Sequence, residues 1–396
     1  MTNAQCVLID LLRKSLFNFN ISIPEDTDWQ AVYDEAIFQA VIPLAFDGTA
    51  GIDGIPEDIY KKFKNHTVAV MLNNDKVIKG QQELTALLEK NKVQYAILKG
   101  LSVARYYPKP ELRTLGDVDF LVSKDDFDST KQLLIDNGYV LTEDELNHFH
   151  CAFKKNDVTF ELHFEMSEFP NTEVCNNLRK ELERATEHTE TALFLNSKFS
   201  SLEEIFQAVS LLLHTERHIS KDGIGLRQLI DFGMFVNANP NFFINEENIS
   251  FLKEYGLYKL AAVCIDLMEK YFLEKENEDP TADMLFEMSL KKGNFGVKRS
   301  DEETYTNGIT GLDNRNVLKK YYIFFSNRAE LTWSLAKKYP FFRHFGFIYL
   351  PIRHVFRIIF KPGDRVSYRK ILSSTEEVNS LYNDLSVFKG QINGKE

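Results

Sequence analysis

Cysteine is scarce in this chain and never grouped. The four present, Cys6, Cys151, Cys175 and Cys264, show no CxxC or other metal spacing. That excludes a disulfide framework and a cysteine-based zinc module, and it fits a reducing compartment. Long hydrophobic runs are missing too: no stretch reaches the roughly 18–20 uninterrupted apolar residues of a membrane span. The opening segment, MTNAQCVLIDLLRKSLF, has no basic leader and is broken by Asp10, Arg13 and Lys14. No signal peptide is therefore expected, and the protein is expected in the cytoplasm. Internal repeats and low-complexity segments are lacking. Positive charge is in deficit, with 47 basic against 58 acidic residues and a net charge of −11. A generic binder of phosphate backbones carries the opposite balance.

What remains is an ordinary globular composition, 44% apolar and 27% charged over 396 residues, enough for two or three domains with a substantial core. The charge is uneven. Residues 335–371 hold nine basic residues, Lys337, Lys338, Arg343, Arg353, Arg357, Lys361, Arg365, Arg369 and Lys370, against Asp364 alone. That segment is +8, which leaves −19 for the rest.

Four regions can be read along the chain. Residues 1–90 read as helices, with Asp28 capping one and a long proline-free run from Pro56 to Lys90 forming another. Residues 91–170 change texture. Short apolar strands at Val93–Leu98 and Val118–Val122 alternate with helices near Leu101–Tyr107 and Asp125–Asn137, the latter stopped by Gly138. Asn147–Lys154 and Val158–Glu165 then read as two strands joined by a Lys155-Asn-Asp turn. Residues 171–326 read as helical, with Ser201-Leu-Glu-Glu204 as a capping box. Residues 327–396 form a basic, aromatic C-terminal region after a loop-like stretch from Gly293 to Asn314. The fold class is α+β, a small mixed sheet with N-terminal and C-terminal helical regions.

Chemistry concentrates in the middle. In Gly116-Asp-Val-Asp-Phe-Leu-Val122, Asp117 and Asp119 emerge on one face of a strand while Val118 and Phe120 point behind. Paired carboxylates repel unless a cation lies between them, and Mg²⁺ favours hard oxygen ligands. On that repulsion alone, replacing both aspartates by asparagine should leave stability equal or higher. Thr159-Phe-Glu-Leu-His-Phe164 offers Glu161 on a polar face with Thr159 and His163. Three carboxylates would converge if the two strands were neighbours, as two metal ions roughly 4 Å apart require for phosphoryl transfer. A lone Asp-x-Asp is common at the ends of surface strands. Upstream, however, Leu98-Lys-Gly-Leu-Ser102 puts Gly100 and Ser102 between a strand and a helix, where backbone N–H groups can meet phosphate.

Leu98-Lys-Gly-Leu-Ser-Val-Ala104, Leu112-Arg-Thr-Leu-Gly-Asp-Val-Asp-Phe-Leu-Val122 and Glu161-Leu-His163 together resemble the DNA polymerase β-type nucleotidyltransferase superfamily. Within it they resemble a poorly characterised bacterial group whose chains read LKG…LR..GDiDlLV…ELHW. Abortive-infection toxin nucleotidyltransferases share the order. The match covers about Tyr95 to Phe164. The resemblance implies that Gly100 and Ser102 seat the nucleotide phosphates, that Asp117 and Asp119 bind two Mg²⁺, and that Glu161 completes the site and activates the acceptor. It also implies a nucleotidyltransferase core over residues 91–170 and transfer of a nucleoside monophosphate from an NTP, with ATP the expected donor, to a hydroxyl. The acceptor, whether small molecule, protein or RNA, is not legible. Leu101 departs from the usual Gly-Ser turn, which weakens the case for Ser102 more than for the metal site.

Other residues admit two readings each. Lys99 and Arg113 can neutralise phosphate, or Arg113 can pair with an aspartate and hold its loop. His163 can serve the site or be a hydrogen-bonded structural residue, and the same holds for His148 and His150. His214 and His218 have the four-residue spacing of a zinc pair but no third ligand at a recognisable spacing. Arg227 and Asp231 read as a helical ion pair. Gly223-Ile-Gly225 follows a helix and lacks a third glycine, so it is no dinucleotide fingerprint. The C-terminal arginines and phenylalanines suit a packed helix, peripheral contact with an anionic membrane through 335–371, or base stacking. The rival functions are a non-catalytic nucleotide-binding module and a membrane-peripheral accessory factor of a polysaccharide or natural-product pathway.

Overall fold

The computed structural model describes residues 1–143, 149–167, 169, 172–294, 322, 329, 333, 335, 339–350, 352 and 380–389. The N-terminal part is helical: α1 (Asn3–Phe17), α2 (Trp29–Phe38), α3 (Ile42–Gly48) and α4 (Glu57–Lys90). Thr2 and Gln5 make a reciprocal capping box at α1, and the Asp28 side chain accepts the Ala31 N–H to open α2. After α4 come β1 (Tyr95–Ile97), α5 (Leu101–Ala104), β2 (Val118–Val122), α6 (Lys124–Asp136), β3 (Val140–Glu143), β4 (His150–Lys155) and β5 (Val158–His163). Then follow α7 (Glu173–Leu182), β6 (Thr189–Phe194), β7 (Ser197–Leu202), α8 (Glu204–Arg217), α9 (Leu226–Ala238), α10 (Glu246–Glu254), α11 (Tyr258–Phe272) and α12 (Pro280–Lys292).

The strands form one seven-stranded mixed sheet in the order β3-β4-β5-β2-β1-β7-β6. β2 runs parallel to β5 and β1 parallel to β7; the other pairs are antiparallel. Alternation along the strands divides the core in two. Tyr95, Ile97, Val118, Phe120, Phe160 and Leu162 pack with Val77, Leu84 and Leu88 of α4. Ala96, Leu98 and Leu121 face the other way, into a larger cluster with α8, α9 and α11. Asp119, two residues from Leu121, therefore looks toward α8.

The fold class agrees with the sequence reading, but the sheet is wider. β3, β6 and β7 were not expected. β6 and β7 form a hairpin through Leu195 and Asn196, Leu195 having φ of +50°. Its buried positions, Ala192, Phe194, Ser197, Phe199 and Ser201, recur every two residues, a strand period inside a stretch read as helical. The expected capping box does not form. Ser201 belongs to β7, pairing with β1, and Glu203 takes the N-cap of α8 without a side-chain cap bond. Ladder pairing and a buried hydrogen bond claimed the serine before the helix could.

Most of the C-terminal basic stretch, including Lys337, Lys338, Arg353, Arg357, Lys361, Arg365, Arg369 and Lys370, lies outside the described residues, as do 295–314 of the expected boundary and His148. Pro340–Phe345 is a 3-10 turn, with Phe341, Phe345 and Phe347 exposed nearby. No helix among the described residues is long and apolar enough to cross a membrane. Residues 380–385 are helical and send Leu381 and Leu385 into the main cluster. There the Tyr382 hydroxyl donates to buried Glu216 of α8 at 3.0 Å.

Burial pushes the Glu216 carboxyl up to about 7. A raised carboxyl contributes stability that is full below its unfolded value and lost as pH rises through the folded one. Glu216→Gln is accordingly expected to raise the melting temperature at pH 8 by several degrees and to change it little at pH 5. Thermal unfolding of both proteins at the two pH values checks this.

Candidate active site

The loop before β2 is anchored from behind. Asn74 of α4 donates to the carbonyls of Glu111 and Arg113 and accepts the Leu115 N–H, all within 3.1 Å. β1 docks on β2 through the Leu98 N–H to the Asp119 carbonyl at 3.0 Å, which brings Lys99 beside Asp119. The chain then turns at Gly100, whose φ of +62° and ψ of −114° lie in a region that L side chains rarely adopt. The Asp117 carbonyl lies 3.8 Å from where a Cβ would sit, so backbone conformation rather than crowding demands the glycine.

On the parallel β2–β5 ladder Asp119 faces Glu161 and Leu121 faces His163. Residues opposite one another share a sheet face, so the carboxylates meet and His163 stands next to them. One ligand atom each from Asp119, Glu161 and His163 lie within 4.8 Å of one another. His163 Nε2 is 3.3 Å from Asp119 Oδ1 and 3.3 Å from Glu161 Oε2, and Lys99 Nζ is 2.9 Å from Asp119 Oδ1. Asp119 and His163 are buried, and Glu161 is half-buried.

Asp117 is not one of the three groups in this cluster. It precedes the first paired residue of β2, and its side chain is exposed. It still feels the site: the charge of Asp119, and then loss of solvation, push its carboxyl up to about 6. For Asp119 burial opposes ionisation, but Lys99 and His163 outweigh it and hold the carboxyl well below the usual range. For Lys99 and His163 burial favours the neutral forms, and the surrounding carboxylates reverse this, raising both.

Two expected phosphate contacts are placed differently. The Ser102 side chain is fully buried, with its Oγ 2.8 Å from Ser201 Oγ and donating to Gln207 Oε1. Gln207 in turn donates to the Leu98 carbonyl at 3.1 Å. The serine thus braces the turn against β7 and α8 from inside. Arg113 is buried and makes a two-pronged pair with Asp231 of α9, both contacts at 2.7 Å, while the Tyr107 hydroxyl donates to the same carboxylate. Asp231 is thereby held by a residue 118 positions away in the chain, and its charge also acts on Arg227, one helical turn before it. Of the two readings of Arg113, the geometry follows the structural one.

Histidines crowd the same side of the sheet. His150 on β4 stacks on His163 with centroids 4.9 Å apart, and burial, then His163, bring it down to about 4. His214 of α8 and His218, the residue just past its end, lie Nε2 to Nε2 at 2.9 Å. Burial, Lys99 and His218 keep His214 neutral. No three-residue metal cluster among the described residues includes this pair. Sequence reading left His163 undecided; the signal was its i+2 spacing from Glu161, which became decisive only once β5 lay beside β2.

The mixed sheet thus carries a cluster of Asp119, Glu161 and His163 able to hold a metal ion, beside a lysine and a glycine turn. Residues 25–272 match the model of a family described as uncharacterised nucleotidyltransferase, and the chain belongs to that family. The match runs from just before α2 to the end of α11 and includes every strand of the sheet. A search of curated proteins found no match.

Proposed function

We propose that the protein transfers a nucleoside monophosphate from an NTP, first of all ATP, to an acceptor hydroxyl. The acceptor oxygen forms a bond to the α-phosphorus, the bond from that phosphorus to the bridging β-oxygen breaks, and pyrophosphate leaves. The observation that carries this is the Asp119–Glu161 pairing on neighbouring parallel strands, with Lys99 beside it, inside a nucleotidyltransferase family match. Oxygen donors this close fit a divalent cation, and the resemblance of Gly100, Asp117, Asp119 and Glu161 to the polymerase β-type pattern supports the same assignment.

Asp119 and Glu161 would hold that cation, with Asp117 at the open rim available for a second. A divalent ion bound there would neutralise the triphosphate and the charge developing at phosphorus. Lys99 adds a cation to the same pocket. Gly100 lets the backbone come close to the phosphates, and the Ser102–Gln207–Leu98 hydrogen bonds keep that turn in place. Glu161 accepts the acceptor's proton. Catalysis on this reading is positioning and charge neutralisation more than covalent chemistry.

Incubating the protein with each α-labelled NTP, divalent cation and cell extract tests the reading. Label from one NTP should appear in one class of acceptor and disappear with Asp119→Asn. Tight NTP binding by calorimetry with no labelled product would make the protein a nucleotide-binding module instead, and no binding at all would end both readings.

A further inference from the structure

We infer that His163 is itself a ligand of the bound cation, through Nε2, so that the site prefers an ion that accepts imidazole, such as Mn²⁺, over Mg²⁺. This rests on the nucleotidyltransferase reading above and concerns which ion that same site takes.

The distances suggest it first. Charge-assisted N–H···O bonds run at about 2.7–2.9 Å. His163 Nε2 instead stands 3.3 Å from each of two carboxylate oxygens on different strands. Around an ion with bonds of about 2.1 Å, neighbouring ligand atoms are separated by about 3.0–3.4 Å in octahedral or tetrahedral geometry. The two separations from His163 are those of ligands around a common centre rather than of a donor closing on one acceptor, and all three groups lie within 4.8 Å of one another.

The ring is also fixed in that direction. His163 is 2% exposed, held in register by β4 on one side and β2 on the other, and stacked on His150, with the Phe149 ring tilted against both. Its Nδ1 is buried with no hydrogen-bond partner, so nothing polar at the far nitrogen sets its orientation. Its polar contacts run through Nε2, toward Asp119 and Glu161. A residue placed only to offset carboxylate charge could be a mobile lysine, and Lys99 already fills that role at 2.9 Å. An imidazole wedged at a set angle is a costlier arrangement and suits coordination better.

Ligand chemistry then sets the preference. Mg²⁺ takes oxygen ligands and gives up its waters reluctantly, whereas imidazole suits first-row transition ions. Two carboxylates and one imidazole make a mixed O/N site.

Pulsed EPR on the full-length protein with Mn²⁺ alone tests the assignment. The wild type should show nitrogen-14 modulation from a directly bound imidazole. His163→Gln should lose it and weaken Mn²⁺ binding by at least about tenfold, while Mg²⁺ binding, followed by competition, changes less than about threefold. His150→Gln should keep the modulation, which excludes the stacked neighbour as its source. Bound Mn²⁺ without nitrogen modulation in the wild type overturns the inference and leaves the nucleotidyltransferase reading intact, and that result needs no variant to fold. Equal losses for Mn²⁺ and Mg²⁺ in His163→Gln also overturn it, since a merely structural histidine would act that way. If neither ion binds, with or without NTP, and no NTP is consumed, the reading beneath it fails as well.

Discussion

Asp119→Asn is expected to abolish transfer and divalent-cation binding and also to destabilise the protein by about 3 kcal/mol, the low end for breaking a buried ion pair. Repulsion between paired aspartates, taken alone, leads to the opposite expectation for stability. The difference comes from what surrounds each carboxylate. Asp119 is buried between Lys99 and His163, and removing its charge takes from Lys99 its nearest carboxylate and leaves His163 with Glu161 alone, in a site with little water. The lower end applies because part of the Lys99 side chain reaches solvent and can rehydrate. Asp117 has no such partners, and its carboxyl is pushed up to about 6 mainly by Asp119. Asp117→Asn should therefore impair transfer while leaving stability equal or slightly higher.

The pH dependence separates the two. Asp119 is held well below the unfolded carboxyl value, so its contribution is present above that value and lost as pH falls through the folded one. Asp117 is raised, so the folded state binds its proton more tightly, and stability falls as pH rises from about 4 through about 6. His163 is raised as well, and its contribution is lost as pH rises through its folded value. Melting curves at pH 5 and pH 8 should show a larger gain from Asp117→Asn at pH 8 than at pH 5, and the loss from Asp119→Asn at both. An Asp119→Asn protein as stable as wild type would refute the assigned charge balance.

Asp231→Asn is expected to be the most damaging change outside the acidic cluster, at about 3–5 kcal/mol. Its carboxylate accepts two bonds from Arg113 and one from Tyr107, all at 2.7 Å and all buried. Arg113→Lys should cost a comparable amount, because an ammonium cannot reproduce a two-pronged guanidinium contact. Both changes should also lower kcat/KM, since Arg113 lies next to the Gly100 turn, 3.4 Å from its carbonyl. Replacing the pair together, Arg113→Met with Asp231→Leu, removes both buried charges and should restore much of the stability in chemical denaturation. NTP affinity of that double variant then separates the two roles of Arg113. Recovery alongside stability makes it a brace for the loop, and a deficit that persists in a stable protein makes it a nucleotide contact.

Local pattern was enough for much of the architecture. Asp28 capping α2, the proline-free run of α4 and the apolar strands of β1 and β2 are encoded by residues within a few positions of one another, so they are legible in one dimension. The same holds for Asp119, which alternates against Val118 and Phe120, and for Gly100, whose place after a strand anticipates its positive φ. Where sequence reading fell short, the deciding partner was distant. Ser201 reads as a capping serine until β7 is laid beside β1, and Ser102 reads as a phosphate ligand until Ser201 and Gln207 are found against it. By itself, then, the sequence determined an α+β chain with an acidic strand behind a glycine turn, because helix caps, strand alternation and backbone strain are short-range properties. Only the tertiary structure decided that Glu161 meets Asp119 while Asp117 stays at the rim, that His163 joins them, and that Arg113 belongs to Asp231. Those outcomes depend on parallel strand register and on burial, which are set by packing between segments far apart in the chain.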